Sequence, residues 1–280
     1  MGLTNLTGRT ALVTGAALRL GRAIALSLAT EGANVVVHYH TSREPAEALA
    51  AEVAARGVQA WTISADLADP EQAATLLARA GELAGPLDIL VNSASDFPPS
   101  TMDGVQWEDL QRQFALTAWA PFTLCRQFVA QTPTAPGGTG VSPVRGSIVN
   151  LLDSRMISWD WGHVAYLWAK QLLAHMTSHL ALTYAPSFTV NGVAPGLILP
   201  PPGVDHSYLD SLMDTVPLRR HGDPEDIAAA VAFLLKSPFI TGEVIFVDGG
   251  RHLAESVSGQ SSVSGAATPG GSKLTLSPDD

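Results

Sequence analysis

Short apolar runs alternate along the chain with longer segments whose Ala, Leu and Val residues recur at helical spacing. The short runs are Thr10–Thr14, Val35–His38, Ala60–Ile63, Ile89–Val91, Ile148–Leu152, Thr189–Val193 and Val244–Val247. Most are continuously apolar rather than alternating, which predicts strands buried on both faces of a parallel sheet. Helical patterns lie between them at Leu20–Glu31, Glu44–Arg56, Glu71–Ala84, Trp107–Gln131, Ala165–Tyr184 and Pro224–Leu235. The last opens on Asp223-Pro224, an N-cap residue followed by a proline in the first turn. Such alternation predicts one doubly wound α/β domain over residues 1–254, with about seven parallel strands and helices on both faces.

Three stretches break the pattern. Thr132–Arg145 is rich in Pro, Gly, Ser and Thr and reads as a surface loop. Leu199–Asp214 opens with three prolines and has the composition of a lid. Residues 255–280 are Ser-, Gly- and Thr-rich without hydrophobic period and read as a disordered, dispensable tail.

Composition narrows the function classes. Of 280 residues 46% are hydrophobic and 15% charged, and the formal net charge is −10. An acidic chain repels polyphosphate, so nucleic acid and anionic membranes are not its expected partners. The single cysteine, Cys125, forms neither an internal disulfide nor a cysteine-based zinc cluster, and no histidine pattern completes a metal site. No secretory signal or membrane-length apolar run is visible, which makes the cytoplasm the default location.

The first strand runs into Thr14-Gly15-Ala16-Ala17-Leu18-Arg19-Leu20-Gly21-Arg22. A glycine-containing turn between a buried strand and a helix lets a phosphate approach backbone N–H groups at the helix N-terminus. Gly15 permits the tight turn and Gly21 the close helix–strand approach. The second strand ends in His38-Tyr39-His40-Thr41-Ser42-Arg43, with no carboxylate before Glu44. Enzymes preferring NAD place an acid here for the ribose hydroxyls, whereas a run of donors suits a 2′-phosphate. The expected cofactor is NADPH. Asp66, followed by Leu67, ends the third strand where it can accept from the adenine amino group, and Asn92-Ser93-Ala94-Ser95 follows the fourth.

Tyr166 and Lys170 stand four residues apart, on one face of a predicted helix. The ammonium is expected to lower the phenol's pKa and to hold the nicotinamide ribose. Asn191-Gly192-Val193-Ala194-Pro195-Gly196 comes next, then Thr241-Gly242 and Val247-Asp248-Gly249-Gly250. Together these motifs, over roughly residues 6 to 253, resemble the short-chain dehydrogenases/reductases. The resemblance implies a Rossmann-like fold, a cofactor contacted by Gly15, Arg19, Leu20, Gly21, Pro195 and Gly196, and a homotetramer or dimer.

Departures from that family pattern sharpen the reading. The family's catalytic serine falls thirteen residues before the tyrosine, at Asp153, with Ser154 beside it. The helix asparagine aligns with Thr117, and the middle glycine of the first turn is Arg19. An ionised carboxylate accepts hydrogen bonds and repels a developing alkoxide, so Asp153 suits a substrate presenting N–H groups. In this the chain resembles the pteridine reductases, which places Arg19, Ser95, Phe97, Asp153 and Tyr166 on the substrate. The expected reaction is NADPH-dependent reduction of a pterin C=N bond. Two rivals stand beside it: a carbonyl reductase using Ser154 after a one-residue slip, and a non-catalytic NADPH sensor.

Overall fold

The computed structural model describes residues 5–131, 144–157 and 160–254. Seven strands form one sheet: β1 (Thr10–Val13), β2 (Asn34–Tyr39), β3 (Ala60–Ser64), β4 (Ile89–Asn92), β5 (Gly146–Leu151), β6 (Phe188–Pro195) and β7 (Val244–Val247). Their order is β3-β2-β1-β4-β5-β6-β7, and every neighbouring pair is parallel. The expected α/β fold and strand count are what the chain adopts.

Residues alternate between the two faces. Ala11, Val13, Val35, Val37, Ile89 and Val91 enter one core, with Ile24 and Leu28 of α1 (Arg19–Thr30), Leu49 of α2 (Arg43–Ala54) and Val231 of α8 (Pro224–Lys236). Leu12, Val36 and Leu90 enter the other, with Leu76 of α3 (Pro70–Ala84), Leu124 of α5 (Ala120–Gln131) and Leu180 of α6 (Val164–Tyr184). Both faces are therefore apolar, which is why the strand sequences do not alternate. Each fully buried aliphatic side chain contributes on the order of 1.5–3 kcal/mol of transfer free energy.

The segment predicted as one helix over Trp107–Gln131 is divided. α4 (Trp107–Gln113) and α5 flank a π-helical turn, Phe114–Trp119. The Ala120 N–H reaches Ala115 O, five residues back. Pro121 follows, and it has no N–H to offer the Thr117 carbonyl that an α-helix would present. The predicted start of α8 holds, with the Asp226 carboxylate accepting from the Asp223 N–H at 3.0 Å. Within the stretch read as a lid, α7 (Ser207–Leu212) buries Leu209 in a small cluster with Leu197 and Val216. Thr132–Pro143 of the predicted loop and the tail from residue 255 lie outside the described residues. Among the described residues no helix is long and apolar enough to cross a membrane.

Candidate active site

Strand order reverses at β1, whose neighbours are β2 and β4. In open α/β sheets ligands bind beyond the carboxyl ends of the strands at such a switch point. A cleft of about 460 Å³ opens there. Of the predicted residues it is lined by Gly15, Arg19, Leu20, Gly21, Tyr39, His40, Ser42, Ser93, Ala94, Ser95, Phe97, Asp153, Tyr166, Lys170, Pro195 and Gly196. His38, Thr41, Asp66, Leu67 and Asn92 are not part of the lining.

The nucleotide end fits a bound dinucleotide on steric grounds. Gly15 has φ +61°, and a Cβ there would lie 2.7 Å from Ala94 Cα. A Cβ on Gly21 would press on Gly15 O and Ala16 Cα. Both glycines allow close backbone packing, of the first turn against the loop after β4 and of α1 against the first turn, which any side chain would push apart. Thr14 Oγ1 accepts from the N–H groups of Ser93 at 2.9 Å and Ala94 at 3.0 Å, which ties the loop after β4 to the first turn. Gly21→Ala has only backbone to push against, so it is expected to cost about 1–3 kcal/mol. It should also weaken NADPH binding; melting temperature and a fluorescence titration with NADPH check both effects.

His38 is placed beneath this turn rather than in the cleft. It is 2% exposed. Gly15 N–H donates to its Nδ1 at 3.0 Å, so Nε2 carries the proton and donates to Ala65 O at 3.1 Å. Burial drives its pKa down to about 4, keeping the ring neutral. His38 therefore shapes the turn, and the donors left facing the ribose end are Tyr39, His40 and Ser42. His40 Nε2 lies 3.8 Å from Asp66 Oδ2. Asn92 lies behind the site, donating to Asn150 Oδ1 at 2.8 Å, and Asn150 in turn donates to Thr177 of α6 at 2.9 Å.

At the catalytic end the Tyr166 hydroxyl donates to Asp153 Oδ2 at 2.9 Å. Lys170 Nζ donates to Leu151 O at 2.6 Å and lies 5.7 Å from the centre of the Tyr166 ring. The lysine was expected to lower the phenol's pKa. Burial and the Asp153 charge instead raise it well above the ordinary value, so the phenol is a neutral proton donor. Burial also lowers Lys170, to about 8. Burial alone would raise Asp153, but the charge and hydrogen bonds of Arg155 outweigh it and hold the carboxyl below its usual value. Arg155 is the site residue that sequence reasoning missed. Its only signal is a position two residues after Asp153.

The cleft wall beside Tyr166 is aromatic. Phe97 stacks on His163 with ring centres 3.6 Å apart and meets the Tyr166 ring edge-on at 4.8 Å. The Phe97 loop is joined to the start of α6 through Ser100. Ser100 N–H donates to Gly162 O at 2.6 Å, its carbonyl accepts from Val164 N–H at 2.9 Å, and its Oγ accepts from Ala165 N–H at 3.1 Å. Arg19, in the left-handed region at φ 54°, sends Nη2 to Pro200 O at 2.8 Å and so bridges the first turn to the proline-rich segment. Ser154 lines the cleft beside Asp153. Thr117 sits in the π-helical turn, donating to Gln113 Oε1 at 3.3 Å, and the Gln113 amide donates to Asp96 of the Phe97 loop. Trp161 is exposed, and Trp159 lies outside the described residues.

Comparisons with known proteins agree with this architecture. The family model described as enoyl-(acyl carrier protein) reductase matches residues 15–252. An uncharacterized oxidoreductase of Mycobacterium tuberculosis is 35% identical over 256 residues, covering 89% of this chain and 94% of that protein. Among solved structures, FolM alternative dihydrofolate reductase 1 from Brucella canis, complexed with NADP, superposes with a TM-score of 0.80. It is 29% identical and is covered over 89% of this chain and 96% of its own. The angucycline C-6 ketoreductase LanV with bound NADP reaches 0.79 at 31% identity, over 89% and 97% of the two chains. With its parallel sheet, its glycine cradle at the switch point and its Tyr166/Lys170 pair on α6, the chain belongs to the short-chain dehydrogenase/reductase family.

Proposed function

We propose that the protein reduces a pterin, taking a C=N bond of an oxidised or dihydro ring to C–N–H with NADPH. The observation that carries this reading is the Asp153 carboxylate, bonded to the Tyr166 hydroxyl where the family has a serine. Tyr166 is neutral and gives its O–H proton to the ring nitrogen, with the phenolate reprotonated from solvent. Asp153 is ionised and accepts an N–H from the ring edge. Phe97, whose two faces are taken by the His163 ring and the Arg155 guanidinium, borders the heterocycle together with Arg19 and Ser95 rather than stacking on it. NADPH, when bound, supplies the hydride. The chain's own part is alignment and charge placement. The NADP-bound reductase FolM, a structural neighbour, supports both cofactor and substrate class.

NADPH is preferred over NADH in this reading, because His40 and Ser42 border the ribose end of the cleft. Arg43, which pairs with Glu47 at 2.7 Å, lies just beyond them. Comparing kcat/KM for the two cofactors with one substrate checks this, and equal values would sink it.

A second reading is carbonyl reduction with Ser154 as donor. It rests on the place of Ser154 in the cleft and on the likeness to a ketoreductase. NADPH consumption measured with pterins, ketones and quinones in parallel separates the two. Turnover of ketones alone would replace the pterin reading. The reductase unit is residues 1–254, acting in the cytoplasm as a homo-oligomer. Trp168 and Leu172, one turn apart on α6, expose apolar surface that supports self-association.

A further inference from the structure

Asp153 is held chiefly by one side chain. Arg155, in the 3₁₀ turn Ser154–Ile157, donates to Asp153 Oδ1 from its backbone N–H at 2.8 Å and from Nε at 3.1 Å. Its Nη2 donates to Oδ2 at 2.9 Å. The other arm of the fork, Nη1, donates to Asp160 Oδ2 at 2.5 Å, and Asp160 contacts His163 Nδ1 at 3.1 Å. The guanidinium carbon lies 4.7 Å over the ring of Phe97, the ring that His163 stacks upon. One cation thus touches both the acid and the aromatic wall of the substrate end.

An ionised carboxylate offers about four lone-pair sites. Arg155 fills three of those on Asp153, two at Oδ1 and one at Oδ2, and Tyr166 fills the fourth. We infer that Arg155 is the positioning residue of this site, fixing Asp153 so that a single acceptor position, at Oδ2, is shared between the Tyr166 hydroxyl and one substrate N–H. The inference rests on the proposal that Asp153 meets the substrate.

The sharing has a consequence for substrate class. When Tyr166 turns its O–H toward a substrate acceptor, Asp153 loses its fourth partner, the second of the two at Oδ2. A substrate edge with an acceptor nitrogen beside an N–H, as in an amidine-type heterocycle, fills both places at once. A ketone fills only the first and leaves a largely buried carboxylate site unpartnered, which costs on the order of a hydrogen bond or more. Arg155 thereby discriminates through Asp153. The groups facing Asp153 are Arg155 on its own turn, Tyr166 and Lys170 on α6, and Asp160 ahead of α6. Arg155 outweighs burial in keeping the carboxyl ionised.

The test uses the NADP-saturated full chain, with Arg155→Gln and Arg155→Lys. Isotope-edited infrared titration follows the Asp153 carboxylate band, identified by its loss in Asp153→Asn. In Arg155→Gln the midpoint should rise by about one pH unit or more, and the acid limb of kcat/KM should move with it. Pterin kcat should fall at least about tenfold while KM for NADPH stays put. Arg155→Lys restores charge but not the planar fork, so it should recover the midpoint without recovering kcat. A midpoint unmoved in Arg155→Gln, or full pterin kcat in either variant, overturns the inference. Melting curves accompany both variants. If the glutamine variant does not fold, kcat of the lysine variant decides. The infrared readout needs no turnover. An inactive wild type with a shifted midpoint in Arg155→Gln would therefore remove the pterin reading and leave the role of Arg155 standing.

Discussion

Replacing Tyr166 with phenylalanine is expected to lower kcat by two to four powers of ten on any substrate the enzyme turns over, about the range for loss of a general acid. The hydroxyl is the donor in the 2.9 Å bond to Asp153, and burial with the Asp153 charge keeps it protonated through neutrality. Phenylalanine keeps the edge-on packing with Phe97 and removes only the hydroxyl, with its proton and its bond to Asp153. Asp153→Asn should lower pterin turnover by about 10²-fold or more, because an amide can supply neither the charge nor the same acceptor at Oδ2. Asp153→Ser should lose pterin turnover similarly while keeping or gaining weak ketone reduction, since a hydroxyl can donate to a carbonyl oxygen. Both Asp153 variants leave Arg155 without its main counter-ion, so melting temperatures must be read alongside the rates. If Asp153→Asn keeps full pterin turnover and Ser154→Ala abolishes it, the hydroxyl is the working group and carbonyl reduction is the function.

The second large effect is on stability against pH. His38 is neutral in the folded chain, with a pKa of about 4 against 6.5 for the free side chain. Between those values the unfolded chain binds a proton that the folded chain refuses. Stability from this residue is therefore complete above about pH 6.5. It is lost as pH falls from there through about 4, at up to roughly 1.4 kcal/mol per pH unit. Over the whole window the loss is on the order of 3 kcal/mol. A protonated ring would carry a hydrogen on Nδ1, opposite the Gly15 N–H that now donates to it. His38→Gln removes the titration. The slope of unfolding free energy against pH, from denaturant midpoints, should then be shallower than wild type by about one bound proton in that window. Parallel slopes would assign the acid sensitivity to carboxylates instead.

Much of the fold was legible in the sequence because burial on both faces leaves a simple mark, the uninterrupted apolar run. The 12- to 21-residue helices beside the sheet repeat apolar positions at a period that survives without structural context. The π-helical turn at Phe114–Trp119 left no such mark, since one inserted residue shifts a helical stripe too little to read. At the site, the glycine cradle and the Tyr166/Lys170 pair were readable because their spacing along the chain is local. His38 was readable only as a donor in the right place. Its bond to Gly15 crosses from β2 to the end of β1, twenty-three residues away, and depends on strand pairing. Arg155 was lost for a related reason. A spacing of two carries no meaning until a 3₁₀ turn folds the guanidinium back onto Asp153. The direction of the Tyr166 shift was misjudged because the carboxylate, and not the ammonium, lies within hydrogen-bonding reach of the phenol.

Ser100 bears on how this enzyme can acquire a new substrate. Its three hydrogen bonds weld the Phe97 loop to the first turn of the helix that carries Tyr166 and Lys170. Wall and catalyst move as one body, so repositioning the wall by bending the loop would drag the proton donor with it. Loop insertions, the usual raw material of altered specificity, are closed to this segment. Change has to come one side chain at a time, at positions such as 95 and 97, on a frame that stays still.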